Sequence, residues 1–193
     1  MSHLLLARHG QSVSNAIRRF QGSQDVELSE LGARQAEALA RVLQSRPVAA
    51  VYTSPLARAR RTAEIAAAGT NVPVTPVEDL RELCLRDPVA CLPPGGEPLA
   101  EVQARVVRAV DEIARAHPDG QQALVVCHGG VISAYLAHCL GLPLSSIWRL
   151  TVSNGSLTEV RPPRVHSVNN TQHLVGVMAD IALGYPTPTP RAP

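Results

Sequence analysis

Apolar residues follow two rhythms along the 193-residue chain. Short continuous runs, suited to strands buried on both faces, alternate with stretches whose apolar positions recur every three or four residues. Leu4-Leu5-Leu6-Ala7 is the first run; Val48 to Thr53, Val72 to Val77 and Ala123 to Cys127 follow, the last being the most hydrophobic. Ser29 caps a predicted helix running to about Arg46, with Leu31, Leu39, Val42 and Leu43 on one face. Ser54-Pro55 opens a second helix, to about Ala68, with proline where its missing N–H does no harm. Leu99, Val102, Val106, Val110 and Ile113 mark a third, stopped by His117-Pro118-Asp119-Gly120, and Val131 to Leu140 forms a fourth. Gln11 to Glu27 is polar, and the prolines and glycines of residues 84–98 read as a loop. Near the end, Trp148 to Val152 and Leu157 to Val160 flank Asn154-Gly155, a hairpin signal. Arg164 to Val168 is a further strand candidate, and the Pro/Thr tail 184–193 reads as disordered. Strands alternating with helices predict an α/β fold: a three-layer sandwich with a single mixed, mostly parallel sheet and helices on both faces.

Composition narrows the picture. The length suits one domain with a full core. A formal charge of +2 is too small to imply nucleic acid or a membrane surface as partner. With aromatics at 3%, base-stacking platforms are not expected. Cys84, Cys91, Cys127 and Cys139 form no CxxC pair, so no zinc site is expected. The first apolar run is too short for a signal peptide and no run is long enough to span a bilayer, so a cytoplasmic protein with reduced thiols is expected. All 18 basic residues are arginine.

Two of the runs end alike: Leu4–Ala7 leads into Arg8-His9-Gly10, and Ala123–Cys127 into His128-Gly129. An open α/β sheet places its ligands at the carboxyl ends of its strands. In a mostly parallel sheet both histidines lie along one edge, and a helix start supplies Arg58 between them. Two imidazoles and two guanidiniums at one rim make an anion pocket, with His9 the candidate nucleophile and Arg8 holding a phosphoryl group. Arginine suits phosphate because its planar fork donates paired hydrogen bonds. Glycine after each histidine lets backbone N–H groups approach the same oxygens. Arg-His-Gly alone does not separate this from a surface pair beyond a capped strand; the case rests on the later motifs. His3, His117, His138, His166 and His173 are read as structural or surface residues, Cys127 as core filler and Trp148 as packing.

The series of motifs resembles the histidine phosphatase superfamily, with its phosphoglycerate mutase-like fold. It runs from Arg8-His9-Gly10-Gln11-Ser12-Val13-Ser14-Asn15 through Gln21-Gly22 and Leu28-Ser29-Glu30-Leu31-Gly32 to Ser54-Pro55-Leu56-Ala57-Arg58. Leu80-Arg81-Glu82, Pro94-Gly95-Gly96-Glu97 and Val125-Val126-Cys127-His128-Gly129 follow in order, with a looser match at Asn154-Gly155-Ser156. The resemblance spans nearly the whole chain, residues 1–183 forming one domain. It implies that His9 attacks phosphorus and becomes a phosphohistidine, splitting one displacement into two. Arg8, Arg58 and His128 would stabilise charge on the equatorial oxygens. Asn15, Gln21, Gly22 and Gly129 would complete the phosphate cradle. Glu82 would protonate the leaving oxygen and then activate water, since Gly129 stands where one branch of the family has an acidic residue. The resemblance implies no metal and no cofactor.

Two departures matter. Gln11 stands where glutamate is commoner. Leu83 to Pro93 lacks the Gly-x-Trp-Glu-Gly stretch and helical cover common in the family, so a shortened lid at about 83–97 and an open pocket are expected. An open pocket admits water to a phosphohistidine, which favours a phosphatase acting on a small phosphorylated metabolite. Phosphoglycerate mutase is the first alternative, and a non-catalytic phosphate-binding module the second. The oligomeric state stays open, a homodimer included.

Overall fold

The computed structural model describes residues 2–19, 21–83, 97–118 and 120–177. One six-stranded sheet holds the molecule together, in the order β3-β2-β4-β1-β5-β6. Its strands are β1 (His3–Arg8), β2 (Ala50–Thr53), β3 (Val74–Pro76), β4 (Gln122–Cys127), β5 (Leu157–Arg161) and β6 (Arg164–Asn170). The first four run parallel; β5 is antiparallel to β1, and β6 to β5. The helices are α1 (Val13–Ala16), α2 (Glu30–Ser45), α3 (Ala57–Ala67), α4 (Leu99–Ala116) and α5 (Gly129–Cys139).

The uninterrupted apolar runs are explained by burial on both faces of the sheet. Strand pleating sends alternate side chains to opposite sides. Leu4 and Leu6 of β1 join Ala123, Val125 and Cys127 of β4 in a core shared with α4 and α5. Leu5 and Ala7 join Leu124 and Val126 in a second core, with Leu39 and Leu43 of α2 and Ala59, Ala63 and Ala66 of α3. A leucine fully buried in this way contributes about 1.5–3 kcal/mol. The expected three-layer sandwich is the observed one. No helix among the described residues is long and apolar enough to cross a membrane.

Helix α2 starts where Ser29 predicts: its side chain accepts the Gly32 N–H at 3.1 Å. Gly32 is there for a second reason. A Cβ on it would lie 2.0 Å from the Gln11 carbonyl oxygen, and one on Gly10 would lie 2.3 Å from the Gly32 carbonyl oxygen. The first turn of α2 thus presses its backbone directly on the segment after His9. Gly32→Ala sets a gain of about 1 kcal/mol in helix propensity against a backbone overlap that nothing flexible relieves. It is expected to destabilise the protein by about 2 kcal/mol or more, read as a lowered midpoint in urea unfolding.

Three expectations are corrected. Trp148 to Val152 is not a strand: Leu144–Arg149 is a 3₁₀ turn, and the hairpin joins β5 to β6 across Pro162-Pro163 instead of turning at Asn154-Gly155. Helix α3 begins at Ala57 rather than at Ser54-Pro55; its first N–H is capped from a distance by the Asp25 carboxylate, 2.6 Å away. Helix α5 starts at Gly129, with His128 as its N-cap residue. Residues 84–96 of the shortened lid, Cys84 and Cys91 among them, and the Pro/Thr tail lie outside the described residues.

Candidate active site

Sheet register places the two histidines side by side. Arg8 of β1 lies opposite Cys127 of β4, so the chain leaves both strands at the same level. The His9 N–H donates to the Cys127 carbonyl at 3.0 Å. The two rings meet edge to face, with centroids 5.1 Å apart and planes at 64°. Both are buried.

His9 has a fixed tautomer. Its Nδ1 lies 2.7 Å from the Gly10 carbonyl oxygen. A carbonyl only accepts, so Nδ1 carries the proton and Nε2 presents a lone pair. Arg58 Nε donates to that lone pair at 3.3 Å. Burial, and then the Arg58 and Arg8 guanidiniums, hold the His9 pKa well below the usual imidazole range. The ring is therefore neutral at pH 7. His128 is held low by burial and by the cations around it.

The backbone around His9 is pinned from several directions. Gly155 N–H, in a turn with φ +72°, reaches the carbonyls of both Arg8 and His9 at 3.1 Å. Asn154 Nδ2 donates to the His9 carbonyl at 3.1 Å and to Asn15 Oδ1 at 3.2 Å. His173, expected to be structural, holds the same turn through the Gly155 carbonyl at 2.9 Å. Gly10 N–H donates to Thr62 Oγ1 at 3.1 Å, and that hydroxyl donates to the Arg58 carbonyl at 2.7 Å. One threonine thus ties the segment after His9 to the first turn of α3.

Arg58 is a fully buried cation, 1% exposed. Its guanidinium donates to the Gln24 carbonyl at 2.7 Å and the Gly22 carbonyl at 2.8 Å. The loop around Gln21 and Gly22 therefore aims Arg58, and Gly22 needs its positive φ of 52° to turn its carbonyl there. Arg8 donates from one Nη to the Val152 carbonyl. Its Nε, and Gln21 Oε1, are buried with no hydrogen-bond partner among the described residues.

Glu82 stands against the start of α5. Its Oε1 accepts the Leu83 N–H at 3.1 Å, and the Gly130 N–H also supports it. A Cβ on Gly130 would lie 2.7 Å from that oxygen, so this position must lack a side chain for the carboxyl to fit as it does. Burial raises the Glu82 pKa, opposed by Arg58, Arg8 and the two N–H groups. Arg105 of α4 fixes the approach: it grips the Glu97 carboxylate at 2.6 and 2.8 Å and donates to the Asp79 and Arg81 carbonyls at 2.6 and 2.9 Å. The Glu97 motif thus locks the segment that carries Glu82.

His9, His128, Arg58, Arg8 and Glu82 accordingly share one buried electrostatic site: both guanidiniums act on His9, His128 and Glu82 alike. Asn15 adjoins it through Asn154, and Gly129 opens α5 directly after His128. Cys127 is core filler as expected, its thiol pushed up by burial. Ser54, Thr62, Arg105, Asn154 and Gly155 were not legible as site residues. A neutral imidazole with its lone pair at Nε2, two guanidiniums and a carboxyl whose pKa burial raises make one place suited to an anion. No cluster of three or more His, Cys, Asp or Glu among the described residues is placed to hold a metal ion.

This arrangement has the form of a phosphoryl-transfer site, and the sequence agrees: the family profile of the histidine phosphatase superfamily (branch 1) matches residues 4–88 and 83–170. The chain belongs to that superfamily. It is 32% identical over 183 residues to the protein named "Probable phosphoglycerate mutase GpmB" of Yersinia enterocolitica, covering 83% of this chain and 85% of that protein. Among solved structures, YhfR of Bacillus stearothermophilus superposes with a TM-score of 0.82 at 32% identity, over 90% of this chain and 100% of that one. A mycobacterial glucosyl-3-phosphoglycerate phosphatase, solved as a complex with VO3, superposes with a TM-score of 0.79 at 32% identity, over 88% and 99%.

Proposed function

We propose that the chain hydrolyses small phosphomonoesters through a phosphohistidine formed on His9 Nε2, without a metal ion. The observation that carries this reading is the His9 ring itself: it is buried and neutral, its proton is held at Nδ1 by the Gly10 carbonyl, and its Nε2 is met by Arg58. In the first step Nε2 attacks phosphorus in line. The P–O bond to the leaving group breaks, and the Glu82 carboxyl supplies the proton that the leaving oxygen needs. Arg58 turns its donor from Nε2 to the phosphoryl oxygens, joined there by Arg8 and His128; Asn15, Gln21, Gly22 and Gly129 line the rest of the cradle. In the second step water attacks the phosphohistidine, its proton passes to the Glu82 carboxylate, and the P–N bond breaks. Positioning and fixed charge supply most of the rate, as phosphoryl transfer requires.

The substrate class is a small phosphorylated metabolite. The likeness to a glucosyl-3-phosphoglycerate phosphatase supports hydrolysis. The likeness to proteins named phosphoglycerate mutase supports a second reading, return of the phosphoryl group to another hydroxyl of the same sugar acid.

The test uses chelator-treated protein with p-nitrophenyl phosphate and, separately, with radiolabelled phosphoglycerate. Steady hydrolysis with trapped label that is stable in alkali and lost in acid is the expected result. Loss of turnover on chelation, or an alkali-labile label, would overturn it. Exchange between 2- and 3-phosphoglycerate outrunning phosphate release would establish the mutase reading instead.

A further inference from the structure

We infer that Ser54 is a positioning residue: it fixes the tautomer of His128 so that this ring meets the phosphoryl oxygens with a proton on Nδ1. The inference deepens the phosphoryl-transfer reading above and rests on it for the identity of the anion.

Placement comes first. Thr53 of β2 pairs with Val126 of β4, and the Ser54 N–H continues the ladder onto the Val126 carbonyl at 2.9 Å. Ser54 thus leaves the sheet beside the residue before His128. Its side chain is fully buried, and its Oγ lies 2.8 Å from His128 Nε2.

Counting protons decides the direction of that bond. Ser54 Oγ already accepts the Leu56 N–H, at 3.4 Å. Its own hydroxyl proton needs an acceptor, and a buried hydroxyl without one is costly. The neighbouring Thr53 hydroxyl is spent on the Ser54 carbonyl. Nε2 of His128 is the acceptor in reach among the described residues, so Ser54 donates and Nε2 holds a lone pair. A neutral imidazole with a lone pair on Nε2 carries its proton on Nδ1. In this structure Nδ1 is buried and has no hydrogen-bond partner among the described residues. It is a donor without an acceptor, on a ring packed edge-on against His9 and surrounded by guanidiniums. A phosphoryl oxygen supplies what it lacks.

The opposite tautomer fails twice. Nε2–H and Leu56 N–H would converge on one Oγ, stranding the hydroxyl proton. A lone pair on Nδ1 would then be the ring's contribution to an anion site. The two histidines are thus set in opposite senses by their partners. A carbonyl, which only accepts, turns the lone pair of His9 toward phosphorus. A hydroxyl, which has a proton to give, turns the N–H of His128 toward the oxygens.

The test reads the tautomer directly and the chemistry separately. Long-range proton–nitrogen correlation on ¹⁵N-histidine-labelled protein, without ligand, is expected to show His128 protonated at Nδ1. In Ser54→Ala the signal moves toward the Nε2-protonated form. Orthovanadate binding and kcat/KM for p-nitrophenyl phosphate fall about 10²-fold, the scale of one lost oxyanion donor. Ser54→Thr, which keeps the hydroxyl, recovers most of both. Thermal melts identify any variant that fails to fold, and Ser54→Cys then takes its place. A wild-type His128 protonated at Nε2, or a Ser54→Ala protein with unaltered tautomer or unaltered kcat/KM, would overturn the inference. If instead the tautomer behaves as stated while His9→Ala keeps full turnover, the phosphohistidine reading fails and the assignment of the ring stands.

Discussion

His9→Ala is expected to lower kcat/KM for p-nitrophenyl phosphate by about 10⁵-fold, the scale seen when a covalent nucleophile is removed from an otherwise intact site. The size follows from what remains. Alanine leaves Arg8, Arg58, His128 and Glu82 in place, so the site still gathers an anion. It no longer has an atom that forms a bond to phosphorus. Water would have to attack the ester directly, from the position the ring occupied and without a base aligned on that side. Binding and turnover should therefore separate. Inorganic phosphate, followed by calorimetry, is expected to bind His9→Ala within about ten-fold of its wild-type affinity while hydrolysis disappears, a loss confined to the transition state. No radiolabel should remain on the variant after quenching. A His9→Ala protein with a measurable phosphoenzyme would move the nucleophile elsewhere.

The site was legible where its residues belong to strand ends, and hidden where they come from long-range closure. Leu4–Ala7 and Ala123–Cys127 announce buried parallel strands, and two such strands deliver whatever follows them to one edge. The register that sets the rings of His9 and His128 5.1 Å apart is a property of the β1–β4 ladder, which no local pattern encodes. Asn154-Gly155 shows the opposite case. Its local chemistry predicts a hairpin, and the turn is real, with φ +72° at Gly155. Yet the Gly155 N–H serves the carbonyls of Arg8 and His9, at the end of β1 and far away along the chain, instead of closing a local hairpin. The hairpin forms at Pro162-Pro163 instead, where β5 is already anchored on β1. Ser54 misleads for a similar reason. As a helix opener it would have bonded its own helix, but its hydroxyl is taken by His128 and Asp25 caps α3 in its stead. Arg105 is invisible to helix periodicity because its role lies in the carbonyls of Asp79 and Arg81, on a segment of another element.

Glu82→Gln should divide the two chemical steps by their need for a proton. Nitrophenolate leaves without help, so kcat/KM for p-nitrophenyl phosphate, which reports the first step, is expected to change by less than about ten-fold. An alkyl phosphate such as glycerol phosphate expels a strongly basic oxygen, and there kcat/KM should fall by about 10³-fold, within the range for general acid catalysis. The second step needs the carboxylate as base whatever the substrate was. With p-nitrophenyl phosphate the variant should release one equivalent of nitrophenol in a burst and then turn over slowly, with phosphohistidine accumulating. The pH profile carries the sign. Burial raises the Glu82 pKa, so the carboxyl keeps its proton to a higher pH than an exposed glutamate would. A bound phosphoryl dianion raises it further. First-step activity toward alkyl phosphates is therefore present below that pKa and lost as pH rises through it. Protonation of His9 removes activity toward acid rather than alkali, and burial with Arg58 and Arg8 holds its pKa well below the usual imidazole range, so it contributes nothing to the alkaline limb. In Glu82→Gln the alkaline limb for alkyl phosphates should vanish along with most of the rate, because an amide has no proton to lose. An equal loss for aryl and alkyl substrates, with the alkaline limb intact, would mean that Glu82 supports the start of α5 without handling the proton.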